Sequence, residues 1–263
     1  MGSFSRWSAY GSGGRCLRLL YLSTNLLSVM LACAVFVYGC WMYHNYSEYA
    51  ELLAPSLYVD VSRIMIVVTL LAIFNSVIST YGVFKELRCM IYSFSIASVI
   101  IFIMLFIGGV MGFVFQYKLR HQIPLDMKMY TSLRELYGNE EWPDVTKAWD
   151  SLQTNFQCCG VNGTDGWTIW GQSKWHMHFK VEGNAEKAKM PDSCCPIGSE
   201  EHCRNSHLTS IEGTPIFSKT CYKPLKERLL FVVNTASWLS IVESGVLLIP
   251  ALFAAMYARL IKK

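Results

Sequence analysis

Hydrophobic positions along the chain gather into four long runs separated by polar stretches. The runs cover residues 19–43, 64–84, 90–117 and 229–258, which makes 25, 21, 28 and 30 residues. About 20 apolar residues in a helix span the ~30 Å hydrocarbon core of a bilayer. The only Asp, Glu, Lys, Arg or His in any run is Glu243. Four transmembrane helices are therefore expected. Ala32-Cys33-Ala34 has the small-x-small look of a signal-peptide cleavage site, but the apolar run continues through Val35 to Tyr43. The first run is read as an uncleaved anchor.

Each run repeats small or polar residues at a spacing of four, which stacks them on one helix face. Ser28 and Ala32, then Ala72, Ser76 and Thr80, then Gly108 and Gly112, then Ser240 and Ser244 make up these faces. Small faces let helix backbones approach closely where lipid removes the usual hydrophobic drive, so a bundle is expected. Asn25, Asn75 and Glu243 are the polar outliers. A carboxylate at mid-span is costly if ionised, so Glu243 is expected to be protonated or hydrogen-bonded. Asn25 and Glu243 are read as interhelical polar contacts or as the lining of a lipid cavity.

Composition sharpens this picture. Only 16% of the 263 residues are charged, against about a quarter in soluble domains. A soluble enzyme, a disordered tail and a nucleic-acid binder are excluded. The net charge of +4 is unevenly placed. Residues 1–18, 85–89 and 259–263 hold eight basic residues against one acid, whereas the loop 118–228 holds 14 of each sign. Lys/Arg excess in short segments marks the cytoplasm. Both termini and residues 85–89 are expected there, with a small loop (44–63) and a large one (118–228) on the extracellular or luminal side.

Cysteine placement agrees with that orientation. Six of ten cysteines, Cys158, Cys159, Cys194, Cys195, Cys203 and Cys221, lie in the large loop. An even set there fits a disulfide framework in an oxidising compartment. Neighbouring cysteines seldom bond to each other, so Cys158 and Cys159 must reach two distant partners, with Gly160 allowing the turn. Just before them, Val145, Trp149, Leu152 and Phe156 recur at helical spacing on one face. Trp167, Trp170, Trp175 and Phe179 follow; these rings are read as a partner-binding surface, with a small loop core as the competing role.

At this point the residues resemble the tetraspanin family, and the likeness covers nearly the whole chain. The carriers are Cys158-Cys159-Gly160, the preceding Trp149-Asp150-x-Leu152-Gln153, the following Gly166-Trp167 and Pro191-x-Ser193-Cys194. Gly82-x-x-x-Glu86-x-x-Cys89, Asn25, Glu243 and the order of loops complete it. The resemblance implies an all-α membrane protein, a four-transmembrane-helix bundle with a disulfide-stapled, mainly helical large extracellular loop. It implies the pairs Cys158–Cys221, Cys159–Cys194 and Cys195–Cys203, which spacing cannot select among the 15 connectivities of six cysteines. It further implies S-palmitoylation at Cys16 and Cys89, both basic-flanked and juxtamembrane. An intramembrane cavity partly lined by Asn25 and Glu243, able to hold cholesterol or another lipid, is also implied. The second run departs from the family by replacing its glycine row with Ala and Ser.

Asn162-Gly163-Thr164 is an expected N-glycosylation site; Asn45-Tyr46-Ser47, two residues beyond the first run, is a weaker one. His176-x-His178 lacks further spaced ligands, so no metal is expected. No motif for a phosphate loop, a zinc protease or a serine hydrolase occurs, and no enzyme activity is expected. The chain is read as a multi-pass organiser of the plasma or endosomal membrane. Its expected partners are other integral membrane proteins, membrane lipid and homo- or hetero-oligomers, not nucleic acid. A dedicated maturation or trafficking subunit for one client is the nearest alternative, and a junction or channel former is more distant.

Overall fold

The structure is a computed structural model that describes residues 11–47, 49, 57–122, 124–162, 168–178, 189–199, 203 and 216–261. Its long helices are α1 (Ser12–Tyr46), α2 (Leu57–Phe84), α3 (Arg88–His121) and α7 (Tyr222–Leu260). Between α3 and α7 lie α4 (Leu125–Glu135), α5 (Pro143–Phe156) and the short α6 (Lys174–His178). All four long helices outrun the apolar windows by several residues at one or both ends. Hydropathy marks only the lipid-matched stretch, whereas helical hydrogen bonding continues into the polar flanks. Trp167 and Phe179 lie outside the described residues, as do Arg6, Lys262, Lys263 and Gly163-Thr164.

Four helices are long and apolar enough to cross a membrane, and only 22% to 39% of the residues in their most apolar windows are buried. Leu26, Val37, Phe74, Ile96, Met111 and Leu252 are all exposed. So much large apolar surface is stable only against lipid. The chain forms an integral, multi-pass membrane protein.

The chain divides into two compact units. The helix unit comprises Met1–His44, Val61–Gln116 and Val233–Lys263. Its helices meet through small residues and hydroxyls. Tyr21 donates to Ser79 Oγ at 2.6 Å, joining α1 to α2. Asn75 Nδ2 donates to Ser98 Oγ at 3.2 Å, joining α2 to α3. Ser95 donates to the Ala251 carbonyl at 3.1 Å, joining α3 to α7. Helices α3 and α7 approach closely at two glycines. A methyl group on Gly112 would collide with Ser237 Oγ, and one on Gly109 would lie 2.7 Å from Ile241 Cγ1. Gly108 meets nothing within 4 Å, so the packed pair is Gly109 with Gly112 and not the expected Gly108 with Gly112. The i, i+3 pair faces α7, while Gly108 turns outward.

The disulfide unit comprises Asn45–Asp60 and Tyr117–Val232. Pro124 interrupts the run after α3, because it cannot donate to the helix ladder and disfavours helix at the residue before it. Pro143 begins α5, where a missing N–H costs nothing. Helix α5 buries Val145, Ala148, Trp149 and Leu152, and α4 buries Leu125, Met129 and Leu133. The Trp149 indole is fully buried and donates to Ser132 Oγ at 3.3 Å.

Candidate functional site

Three disulfides frame the disulfide unit: Cys158–Cys221, Cys159–Cys194 and Cys195–Cys203. Gln157 ends α5 in the left-handed conformation and Gly160 follows at φ +70°, so the chain turns sharply around the cysteine pair. The turn is clamped by the strand-like segment that follows residue 215. Cys159 N–H donates to the Lys219 carbonyl at 2.8 Å, and Tyr222 N–H to the Val161 carbonyl at 2.9 Å. Two adjacent cysteines therefore anchor two different segments, one just before α7 and one in the turn 191–195.

That second segment is held by a polar network as well. Ser193 Oγ lies 2.7 Å from both Asp150 Oδ1 and Gln153 Oε1. A hydroxyl has one proton to give, so Ser193 donates to one oxygen at a time. Tyr137 donates to the same Asp150 oxygen at 2.8 Å. Burial first, and then the Asp150 carboxylate, hold the Tyr137 phenol well above its ordinary range. Gln153 is fully buried, and its Nε2 has no partner among the described residues. The network ties the C-terminal end of α4, one face of α5 and the cysteine-bearing turn into a single body.

The rings divide between core and surface. Trp170 is completely buried, packing edge-on against Tyr137 at 5.0 Å and Trp175 at 5.8 Å. This corrects its assignment to the partner-binding surface: a domain this small needs some of its large rings inside, and Trp170 is one of them. Trp175 is half-buried and covers Gly138, whose φ of +73° favours glycine and where a methyl group would strike the indole ring. Beside it, Met177 is exposed. Ile197 is 96% exposed at the tip of a turn closed by Ser199 N–H on the Pro196 carbonyl at 3.1 Å, inside the Cys195–Cys203 ring.

The α4–α6 surface carries one short ion pair, Lys174 Nζ to Glu135 Oε2 at 2.9 Å, which holds the Glu135 carboxyl below its usual range. A depression of about 700 Å³ runs along the outer face of α5, lined by Asn139, Glu140, Lys147, Ser151 and Thr154 among others. Among the described residues no group of three His, Cys, Asp or Glu is placed to hold a metal. His178 Nδ1 instead lies 2.9 Å from the Lys174 carbonyl of its own helix.

Sequence spacing gave no sign of how the small loop is held. Tyr46 and Tyr49 are buried. Arg228 Nε donates to Tyr46 O–H at 2.6 Å, Asn155 Nδ2 donates to Tyr49 O–H at 2.9 Å, and the Tyr49 ring meets Phe156 at 6.1 Å. These partners lie more than 100 positions apart along the chain.

In the spans, Asn25 is buried and its Nδ2 donates to Thr80 Oγ1 at 3.0 Å, with the Ser76 carbonyl at 3.4 Å. Glu243 is completely buried, and neither carboxylate oxygen has a hydrogen-bond partner among the described residues. No hydrogen bond joins Asn25 and Glu243. Cys16 and Cys89 are free and exposed, as is Cys33, and Cys40 is free and half-buried. Asn162 and Asn45 are both exposed, the latter in the last turn of α1.

Comparison with known proteins agrees with this architecture. The model of the tetraspanin family matches residues 17–260. Tetraspanin-15 of Caenorhabditis elegans is 45% identical over 256 residues, covering 97% of this chain and 98% of its own. CD151 antigen of Rattus norvegicus is 29% identical over 218 residues, 81% of each chain. Tetraspanin-11 of Mus musculus is 25% identical over 185 residues, 68% of this chain and 69% of its own. With four membrane-spanning helices, a stapled loop domain and a family match over nearly its whole length, the chain belongs to the tetraspanin family.

Proposed function

We propose that this tetraspanin gathers partner integral membrane proteins into lipid-linked assemblies, using its disulfide unit for recognition and its span surfaces for lateral contact. What supports the reading is the rigid fixing of the disulfide unit by three crosslinks and the Tyr137–Asp150–Ser193 network. A surface ordered before it meets a partner loses less entropy on docking. Trp175, Met177 and Ile197 supply its apolar contact points, and residues 162–220 carry its specificity. In this reading both termini are cytoplasmic and the disulfide unit is extracellular or luminal, at the plasma or endosomal membrane. Acyl chains at Cys16 and Cys89 add lipid affinity. Sterol or another lipid contacts Glu243 and Asn25 between the helices. A glycan sits on Asn162 before Asn45. No step of chemistry is assigned to the chain.

The test is affinity purification from mild detergent, quantified by mass spectrometry, beside a chimera carrying residues 162–220 of a distant tetraspanin. A set of membrane proteins that changes with the swapped segment is expected. A single stoichiometric client lost in the chimera would make the protein a dedicated subunit. An unchanged set would remove recognition from the disulfide unit and leave assembly to the spans and lipid.

A further inference from the structure

We infer that the end of the helix unit where α1 and α3 begin and α2 and α7 finish is a binding surface for anionic phospholipid headgroups. This deepens the organiser reading and rests on it for the leaflet concerned. The four helix ends meet in one buried cluster of Tyr21, Val83, Ile91, Phe94, Tyr257 and Ala258, against which Leu17 and Ile261 pack. The helix ends and the turn that meet at this cluster carry Arg15, Arg18, Lys85, Arg88 and Arg259, up to 244 positions apart (259 − 15), with Glu86 the single acid among them. Whatever Glu86 pairs with, five cations against one carboxylate leave an excess of four positive charges. Charge bias in the sequence accounts for their sign. Their convergence is a property of the packing.

Two of the cations lie over aromatic rings. The Arg18 guanidinium lies 5.2 Å from the centre of the Phe84 ring, and that of Arg88 lies 5.6 Å from the Tyr92 ring. Stacking occupies the face of a guanidinium and leaves its N–H edge for a phosphate or carboxylate oxygen. Arg15, Lys85 and Arg259 are exposed. Glu86 adopts φ +59°, and Leu87 N–H closes on the Gly82 carbonyl at 2.9 Å, so α2 turns into α3 within three residues and keeps Lys85 near Arg88. Exposed Leu19, Phe84, Leu87 and Met90 alternate with these cations. Interleaved apolar and basic side chains at the end of a span suit the boundary between acyl chains and headgroups, where a basic residue attracts an anionic leaflet. An acidic protein segment would match the charge and leave the apolar residues unmatched.

The experiment uses the purified full chain in mild detergent, offered equimolar phosphatidylserine and phosphatidylcholine of matched chain length, with retained lipid read by native mass spectrometry. Phosphatidylserine is expected to dominate, and raising salt from about 0.1 to 1 M should reduce it by shortening the screening length. Each neutralised cation should cost about fivefold, so R15Q/K85Q/R259Q should lose at least about tenfold. The control K128Q/K147Q, in the disulfide unit, should lose nothing. Equal retention of both lipids, salt-independent retention, or an unchanged triple variant overturns the proposal. So does inositol hexakisphosphate binding without lipid preference, which would mark a free-phosphate site, or capture of an acidic peptide in its place. If the triple variant fails to fold, the salt arm still decides on the unaltered chain. Lipid retention is read without any client, so a lost client with phosphatidylserine retained counts against the organiser reading alone.

Discussion

The two units of this protein solve the same problem in different solvents. The helix unit is joined by small residues and hydroxyls, with Gly112 against Ser237 and Tyr21 on Ser79, and carries no crosslink among its described residues. The disulfide unit is joined by three crosslinks, the buried rings of Trp149 and Trp170 and a carboxylate network. In lipid an apolar side chain gains little by turning inward, so association depends on close backbone approach. In water a small loop domain has a core too small to offset its chain entropy, and covalent links reduce that entropy in the unfolded state. One chain therefore carries two separate accounts of stability.

The largest expected effect tests whether that separation is real. Removing Cys158–Cys221 as a Ser pair opens a link of sequence separation 63, against 8 for Cys195–Cys203. Chain-entropy scaling gives about 4 kcal/mol for the first and about 2.5 kcal/mol for the second. Limited proteolysis should show the disulfide unit destabilised in that order, with the spans' resistance to denaturing detergent unchanged. Equal losses in both units would mean that they unfold together.

The converse substitution is Gly112→Leu, which forces a side chain into Ser237. Overpacking of this kind costs roughly 1–3 kcal/mol. Detergent denaturation should register the loss in the helix unit and leave the proteolysis pattern of the disulfide unit intact. Gly108→Leu, where nothing lies within 4 Å, should leave both readouts unchanged.

Ser193→Ala sharpens the picture inside the disulfide unit. It removes a donor from the half-buried Asp150 and the fully buried Gln153 and should cost about 1–2 kcal/mol, with the three disulfides still formed. A cost indistinguishable from zero would mean that the crosslinks alone hold the turn 191–195.

The pH dependence follows from Tyr137, whose phenol is held above its ordinary range by burial and then by Asp150. A group raised in the folded state contributes stability that is complete below its unfolded pKa of about 10 and is lost as pH climbs toward the folded value. The disulfide unit should lose stability above about pH 10, and Tyr137→Phe should flatten that limb. At the small end, Lys174→Gln breaks an exposed ion pair with Glu135. Exposed pairs contribute little, so no shift in thermal midpoint is expected.

Legibility in the sequence tracked how uniform each physical demand was. The spans could be read because hydrocarbon asks the same thing of about 20 consecutive positions. Helix α5 could be read because Val145, Trp149 and Leu152 repeat on one face. Trp170 could not be separated from Trp175, since neither pattern nor composition says which of two neighbouring rings goes inside. Gly108 and Gly109 posed the same difficulty. Both are small, and only the position of α7 selects the second. Asp150, Gln153 and Ser193 each stood in a motif that carries the family resemblance, but no spacing said that the two motifs would hydrogen-bond or that Tyr137 would join them.

What the sequence determined alone was the membrane class, the four spans and the confinement of six cysteines to one loop, because each depends on local composition repeated over many residues. The tertiary structure decided which side chains became partners. Arg228 meets Tyr46 across 182 positions, and Tyr21 meets Ser79 across 58. Such contacts depend on where helices cross, and a crossing is fixed by side chains of both helices at once.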